Sequence, residues 1–395
     1  MELSTARHRP DQRLARRYHF NDPDMDLFFT AALGWGPTGG LDIGQAFYVA
    51  SHISDGAPDT WVRAFGDYGD AQNTQADAWT LRGWKRAAGE ARLKAFASYR
   101  SAWQFAMPGA QFAGLYARHQ TAFATAMREL DMPATFFNLP YAGKSLPGMF
   151  LQHANPAAPT VLVIGGADTC FEDLFLTLGR NLLERGYSVA LIDLPGQGIT
   201  QAHGLHWERE AERPISLAID LLVERFNAVP GRIALIGLSL GGYFVARAAG
   251  YETRLATVVA STPFPDPAQM FALSVRSATE RATEHAPSEA AIRSRAITFW
   301  KAGAADAAEL LARTAAMVAD PNRVTVPFLS ILAGGDSPVF AGQARHWHES
   351  IASMRKSFVL LDESTGADGH VQLNNRLRLA QECCGWMDDI FGDAS

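Results

Sequence analysis

The chain has 395 residues, 48% of them hydrophobic and 19% charged, with a formal net charge of -6. That balance excludes a disordered chain and argues against nucleic acid as a partner, because phosphate binding needs a basic surface. No apolar run is long enough to span a bilayer, so no membrane segment is expected.

The opening stretch "MELSTARHRPDQRLARRYHF" has no apolar run after its arginines and does not read as a secretory signal. Residues 1 to about 130 are rich in Ala, Trp and Phe at helical spacing, and they predict a helical domain without strands. Within it, "GWGPTG" (Gly34 to Gly39) matches a glycine-rich phosphate loop by letter. It follows a predicted helix rather than a strand and contains Pro37, so the phosphate reading is set aside.

From about 132 the pattern changes. Two short apolar runs flank "AGKS" and predict an antiparallel hairpin. A regular alternation follows: the strand "TVLVIGG", the helix "FEDLFLTLGRNLLERG", the strand "SVALIDLPGQG" and the helix "PISLAIDLLVERFNAV". Next come the strand "RIALIGLS", the helix "LGGYFVARAAG" and the strand "LATVVAST". Fully apolar strands separated by helices predict a parallel sheet covered on both faces, wound by right-handed crossovers. The alternation breaks over 265–325, a more polar helical stretch that reads as an insertion. It resumes with "PFLSILAGGD", a helix near 341–353, the strand "SFVLLD" and a last helix after His370. The expected organisation is a helical domain over 1–130, a sheet core over 131–264, a helical insertion over 265–325 and a second core segment over 326–395.

The chain has three cysteines, Cys170 and the adjacent Cys383 and Cys384. They make a poor disulfide framework, so a reducing cytoplasm is expected. The vicinal pair has no second pair at ligand spacing, so neither a metal nor another cofactor is expected.

Gly237-Leu238-Ser239-Leu240-Gly241 fits G-x-S-x-G at the junction of a predicted strand and a predicted helix, with Gly242 next. The glycines give room for a serine in a strained backbone conformation. The helix N-terminus aims free N–H groups at the reacting centre, and the Leu240 N–H can bind a developing oxyanion. The competing reading is a small-residue crossing where strand and helix pack closely. A serine needs a base, and in this motif's order the acid and then the histidine follow it. Asp336 lies just past a strand and His370 in the loop before the last helix, so Ser239, Asp336 and His370 are the candidate relay. Asp362 and Asp368 are fallback acids. His285 lies in the insertion, and His346 and His348 lie on a helix.

The second oxyanion donor should come from "IGGADTCFED", with the N–H of Ala167 or Asp168 as candidates. Asp168 and Glu172 are unexpected acids beside developing negative charge. Asp168 reads either as a helix N-cap or as a group that bonds substrate or a structural partner. Glu172 reads as a first-turn residue facing the helix dipole, with substrate binding as its alternative. "DLPGQG" (Asp193 to Gly198) reads as a turn shaping the sheet edge.

At this point the chain resembles α/β-hydrolases of the 2,6-dihydroxypseudooxynicotine hydrolase type, with fungal heptaketide hydrolases and FrsA-like proteins as relatives. The residues that carry the resemblance run from about 28 to 392. They include "GGLDIGQAFYVASHISDGAPDTW", "GEARLKAFASYRSAW", "GGADTCFED", "DLPGQG", "GLSLGG", "GGDSPVF" and "GADGHVQLNNRLRLA". The resemblance implies an α/β-hydrolase fold with an N-terminal helical cap over the active site, often as a homodimer. It also implies hydrolysis of a carbon–carbon bond beside a ketone, trimming of a polyketide chain, or cleavage of an ester or amide. Asp368 and Gly369 before His370, and Val371 after it, depart from the pattern expected there. The expected activity is serine-type hydrolysis of a medium-sized, partly aromatic small molecule. A cyclase or lyase on the same scaffold, and a ligand-binding protein that kept the fold, are the alternatives.

Overall fold

Five helices precede the first strand: α1 (Pro23–Gly34), α2 (Ile43–Ala50), α3 (Pro58–Leu81), α4 (Lys85–Trp103) and α5 (Ala110–Glu129). These come from a computed structural model that describes residues 12–284 and 286–392. Residues 1–11 of the opening stretch and His285 lie outside the described residues. α1 starts where Asp22 accepts the N–H groups of Asp24 and Met25, with Pro23 at the first helical position. The "GWGPTG" run ends α1 and forms a short 3-10 turn at Gly36–Thr38, so no strand leads into it. The aromatic residues of this region are mostly core: Trp61, Phe65, Phe96 and Phe123 are fully buried.

The hairpin follows as β1 (Ala134–Tyr141) and β2 (Lys144–Leu151), antiparallel. Ala142 and Gly143 both have positive φ (47° and 73°), which suits a two-residue turn between twisted strands. The alternation then unrolls. β3 (Thr160–Ile164) leads to α6 (Phe171–Leu174), a π turn at Phe175–Gly179 and α7 (Arg180–Glu184). The π turn interrupts what the sequence predicts as one regular helix. The Leu176 carbonyl there accepts the Thr38 hydroxyl at 2.6 Å, and the Thr177 hydroxyl accepts the Trp35 indole N–H at 3.0 Å. β4 (Ser188–Ile192), α8 (Glu212–Phe226), β5 (Ile233–Leu238), α9 (Leu240–Ala248) and β6 (Leu255–Ser261) complete the first run. After α10 (Pro267–Glu284), α11 (Glu289–Ala302) and α12 (Ala307–Thr314) come β7 (Phe328–Ala333), α13 (Pro338–Ser350), β8 (Lys356–Leu361) and α14 (Arg376–Gly392).

Among the described residues the strands form one eight-stranded sheet in the order β1-β2-β4-β3-β5-β6-β7-β8. Pairings from β4 through β8 are parallel, and β2 joins β4 antiparallel. All residues of β3, β4, β5 and β7 are buried, as expected for strands covered on both faces. One apolar cluster lies on the face of α6, α7 and α14, and the N-terminal helices belong to that same cluster. The opposite cluster joins α8, α9 and α13 to α10 and α12. The N-terminal helices therefore share a core with the sheet.

Candidate active site

Ser239 sits between β5 and α9 with φ 56° and ψ -121°, a left-handed backbone position that costs energy in a residue with a side chain. Tight packing forces the bend. A Cβ on Gly237 would lie 2.3 Å from the Gly241 carbonyl oxygen, one on Gly241 would lie 2.5 Å from that of Gly165, and one on Gly242 would lie 2.5 Å from that of Thr262. The start of α9 thus presses against the ends of β3 and β6 and holds the serine hydroxyl at the carboxyl edge of the sheet.

The three side chains nominated as a relay stand in one row. The Ser239 hydroxyl is 2.8 Å from His370 Nε2, and His370 Nδ1 is 2.5 Å from Asp336 Oδ1. With Nδ1–H donating to the carboxylate, Nε2 is left to accept from the serine. The second oxygen of Asp336 accepts the Thr262 hydroxyl at 2.9 Å. Thr262 has φ 59°, and its N–H donates to the Ile331 carbonyl, so it is held between β6 and β7. Sequence reasoning missed it; the signal was a hydroxyl immediately after a strand that ends beside the acid's own strand. Phe340 packs on the His370 ring with centroids 5.0 Å apart.

The fallback groups are engaged elsewhere. Asp368 accepts the Asn374 amide at 3.0 Å, and its carbonyl accepts the Gly335 N–H, closing the loop that carries His370. Asp362 caps the short turn Glu363–Thr365. His346 and His348 lie on α13, and His348 packs on Phe358.

The loop after β3 lies against the serine: a Cβ on Gly166 would be 2.9 Å from that of Ser239. Gln197, from the turn after β4, donates to the carbonyls of Gly165 and Gly166. In a trans peptide the N–H opposes the preceding C=O, so the Ala167 N–H points away from Gln197. Ala167 and Leu240 line the same cavity as Ser239. Leu240 opens α9, where the first N–H groups have no acceptor within the helix. The "DLPGQG" turn therefore does more than shape the sheet edge.

Asp168 is not a helix cap; Cys170 occupies that position. Its carboxylate instead receives the buried Lys301 ammonium at 2.8 Å, with Arg13 at 3.9 Å. Burial alone would raise its pKa. Lys301 and Arg13 outweigh that and hold it down to about 2. These cations balance the charge of an acid that stands in the loop beside Ser239. The Asp168 carbonyl also accepts the Arg100 guanidinium, which pairs with buried Asp173 at 2.5 Å. Glu172 does not line the cavity. It is buried between α5 and α6, with His119 Nε2 at 3.6 Å and the Tyr116 hydroxyl at 3.4 Å, so its substrate-binding alternative has no geometry behind it.

Among the described residues one trio could share a cation: His119, Cys170 and Glu172, whose ligand atoms lie within 4.8 Å of one another. The His119 Nδ1 is buried without a partner, whereas a metal-ligating histidine normally anchors its second nitrogen. The trio fits better as a polar contact between the N-terminal helices and the core. Cys383 and Cys384 are buried on α14 as free thiols.

Ser239 opens into a cavity of about 690 Å³. Its apolar walls include Trp207, Phe264, Met270, Phe271 and Phe299. The roof comes largely from α10 and α11 of the insertion, and the N-terminal region adds Arg13, Asn21–Asp24, Phe28 and Gln104. The cavity over Ser239 is thus enclosed jointly by the N-terminal region and the insertion. The two parts are fastened together: Ser288, the N-cap of α11, donates to Asp22, and Arg293 pairs with Asp59 at 2.6 Å.

A doubly wound sheet with a serine on the strand–helix bend beside its switch point defines the α/β-hydrolase architecture. The chain belongs to the alpha/beta hydrolase family, whose profile matches residues 146–383. It is similar to the hydrolyase poxO of Penicillium oxalicum, with 28% identity over 62% of this chain and 62% of the relative. It is also similar to the 20-hydroxy-prefusarin hydrolase FUS2 of Gibberella moniliformis, with 30% identity over 56% of each. The chain thus spans about three-fifths of the length of the curated relatives it matches. Among solved structures it shares its fold with the 2,6-dihydroxy-pseudo-oxynicotine hydrolase, with TM-score 0.72 and 19% identity over 90% of this chain and 95% of that one. Wild-type AbyA5 also matches, with TM-score 0.64 and 16% identity over 94% and 99%. Among the described residues no helix is long and apolar enough to cross a membrane.

Proposed function

We propose that the chain is a serine-type hydrolase. It would cleave an activated carbonyl compound, at a carbon–carbon bond beside a ketone or at an ester, in a medium-sized and partly aromatic small molecule. The observation that carries this reading is the row Ser239–His370–Asp336, with spacings of 2.8 and 2.5 Å, at the floor of an apolar cavity. Ser239 attacks the carbonyl while His370 Nε2 takes its proton. Asp336 fixes the ring tautomer and stabilises the imidazolium. The N–H groups of Leu240 and Ala167 receive the oxyanion. His370 then returns the proton to the leaving group, and a water deprotonated by the same imidazole releases the acyl group from Ser239 as the acid. For a carbon–carbon bond that group is a carbanion stabilised by a neighbouring carbonyl or an electron-rich ring. Cavity size and aromatic walls support such a substrate, as does the similarity to a 20-hydroxy-prefusarin hydrolase.

The reading extends to a cytoplasmic homodimer. The free buried cysteines are in keeping with a reducing compartment. The exposed Ile43, Phe47 and Tyr48 on α2 offer an apolar face for a second copy, which sedimentation would test. The decisive experiment on chemistry is Ser239→Ala, assayed against ester and β-diketone libraries, with a fluorophosphonate probe and intact mass as readout. The wild type should gain one adduct and the variant none. Full turnover by the variant sinks the mechanism.

A further inference from the structure

The segment before α1 crosses both loops that carry the relay. Its Gln12 carbonyl accepts the N–H of Ser337, the residue after Asp336, at 3.0 Å. The next carbonyl, that of Arg13, accepts the N–H of His370 itself at 2.8 Å. The contact is close along its length. A Cβ on Gly335 would lie 2.5 Å from the Ala15 nitrogen, and one on Gly369 would lie 3.2 Å from Leu14 Cδ2. Two adjacent glycine-bearing loops therefore make room for one stretch of main chain. The Arg13 side chain then turns into the cavity, with Asp24 at 3.6 Å and Asp168 at 3.9 Å. One residue thus touches the histidine through its backbone and the oxyanion loop through its guanidinium.

We propose that residues 12–15 form a positioning strap that sets the histidine and acid loops in register with the oxyanion loop. The inference rests on the serine-hydrolase reading and deepens it. The physical reason is loop geometry. β7 and β8 end at Ala333 and Leu361, and the relay residues follow on irregular chain, where few ladder bonds restrain them. Backbone carbonyls arriving from outside supply the missing partners for two N–H groups there. Downstream, the strap is anchored independently. Asp26 accepts the N–H groups of Tyr18, His19 and Phe20 at 3.0, 2.7 and 2.9 Å, so the chain from Tyr18 onward keeps its seat when the strap is removed.

The test compares the full chain with a form that begins at Arg16. The readouts are the rate at which a fluorophosphonate labels Ser239 and the kcat–KM split on p-nitrophenyl butyrate. The shortened form is expected to stay folded by circular dichroism, to label about 10- to 100-fold more slowly, and to lose kcat rather than KM. A synthetic peptide of residues 9–17 added in trans should restore the rate saturably, which a general loss of structure would not permit. Should the shortened form fail to fold, Leu14→Asp in the full chain takes its place, with the same slowing expected. Arg16→Ala, which removes an exposed ion pair to Glu363, should label at the parental rate. Parental labelling by either the shortened form or Leu14→Asp overturns the proposal. Ser239→Ala runs alongside: if it is still labelled or active, the serine reading has failed instead of the strap.

Discussion

Gln197 holds the Gly166 peptide from behind: its side-chain amide donates to the Gly166 carbonyl at 2.9 Å and to the Gly165 carbonyl at 2.6 Å. The side chain is buried, and it fixes the peptide plane whose N–H belongs to Ala167, a residue that lines the cavity. Gln197→Ala should lower kcat about 10- to 100-fold with little change in KM, because the clamp matters when negative charge develops. An unchanged kcat in steady-state assays would mean that Gln197 does not hold that peptide in its working position.

Gly166 itself has no space for a methyl group, since a Cβ there would sit 2.9 Å from Ser239 Cβ and 3.1 Å from the Leu238 carbonyl oxygen. Gly166→Ala is expected to leave the circular dichroism spectrum intact. Labelling by a fluorophosphonate should slow at least about 100-fold, because the serine and the loop after β3 must separate.

Thr262→Val deletes the hydroxyl that donates to Asp336 Oδ2 and keeps the β-branched shape. Losing one charge-assisted hydrogen bond is worth about 1.5 kcal/mol, so kcat/KM should fall about tenfold. Asp336→Asn removes the charge altogether and should cost about 10⁴-fold in kcat. The ranking of these two variants in the same assay is the check; equal losses would mean that Thr262 does not act through the carboxylate.

The pairing of Lys301 with Asp168 makes a statement about pH. The carboxylate is held down to about 2, below its ordinary 3.8. A depressed carboxylate stabilises the fold fully above the unfolded value. That contribution fades as pH falls from about 4 through 2. The shift corresponds to about 2 kcal/mol. Asp168→Asn should therefore be destabilised by about 3 kcal/mol at pH 7, since it also strands a buried ammonium. The gap from wild type should hold down to about pH 4 and narrow below it. Urea titrations across that range decide the matter, and a gap that widens in acid would contradict the assignment.

Ser239, Asp336 and His370 could be nominated from the sequence because each stands where a strand ends, and that register is visible as apolar runs closed by Gly or Asp. The alternation of strands and helices was visible for the same reason. What could not be read was pairing across distance. Nothing local to Lys301 marks it as the partner of an acid 133 positions earlier. Met270, Phe271 and Phe299 look like the inner stripe of ordinary surface helices, yet they roof the cavity. Glu172 misled in the opposite sense: an acid beside a glycine-rich loop invites a role in binding, but its place is a sealed contact with α5. The π turn at Phe175–Gly179 left no periodic trace because it spans only one turn.

The roof over Ser239 is built largely from helices that contribute nothing to the sheet, while the bend beneath it is built from the ends of β3, β5 and β6 and the first turn of α9. On the proposed function, selectivity and reactivity are thereby written largely in separate stretches of the polypeptide. Exchanging cavity-facing side chains along α10 and α11 is expected to reshape what is admitted while Ser239 stays in place, so an engineer seeking a new substrate would begin with Met270, Phe271 and Phe299 and keep Lys301, which neutralises Asp168.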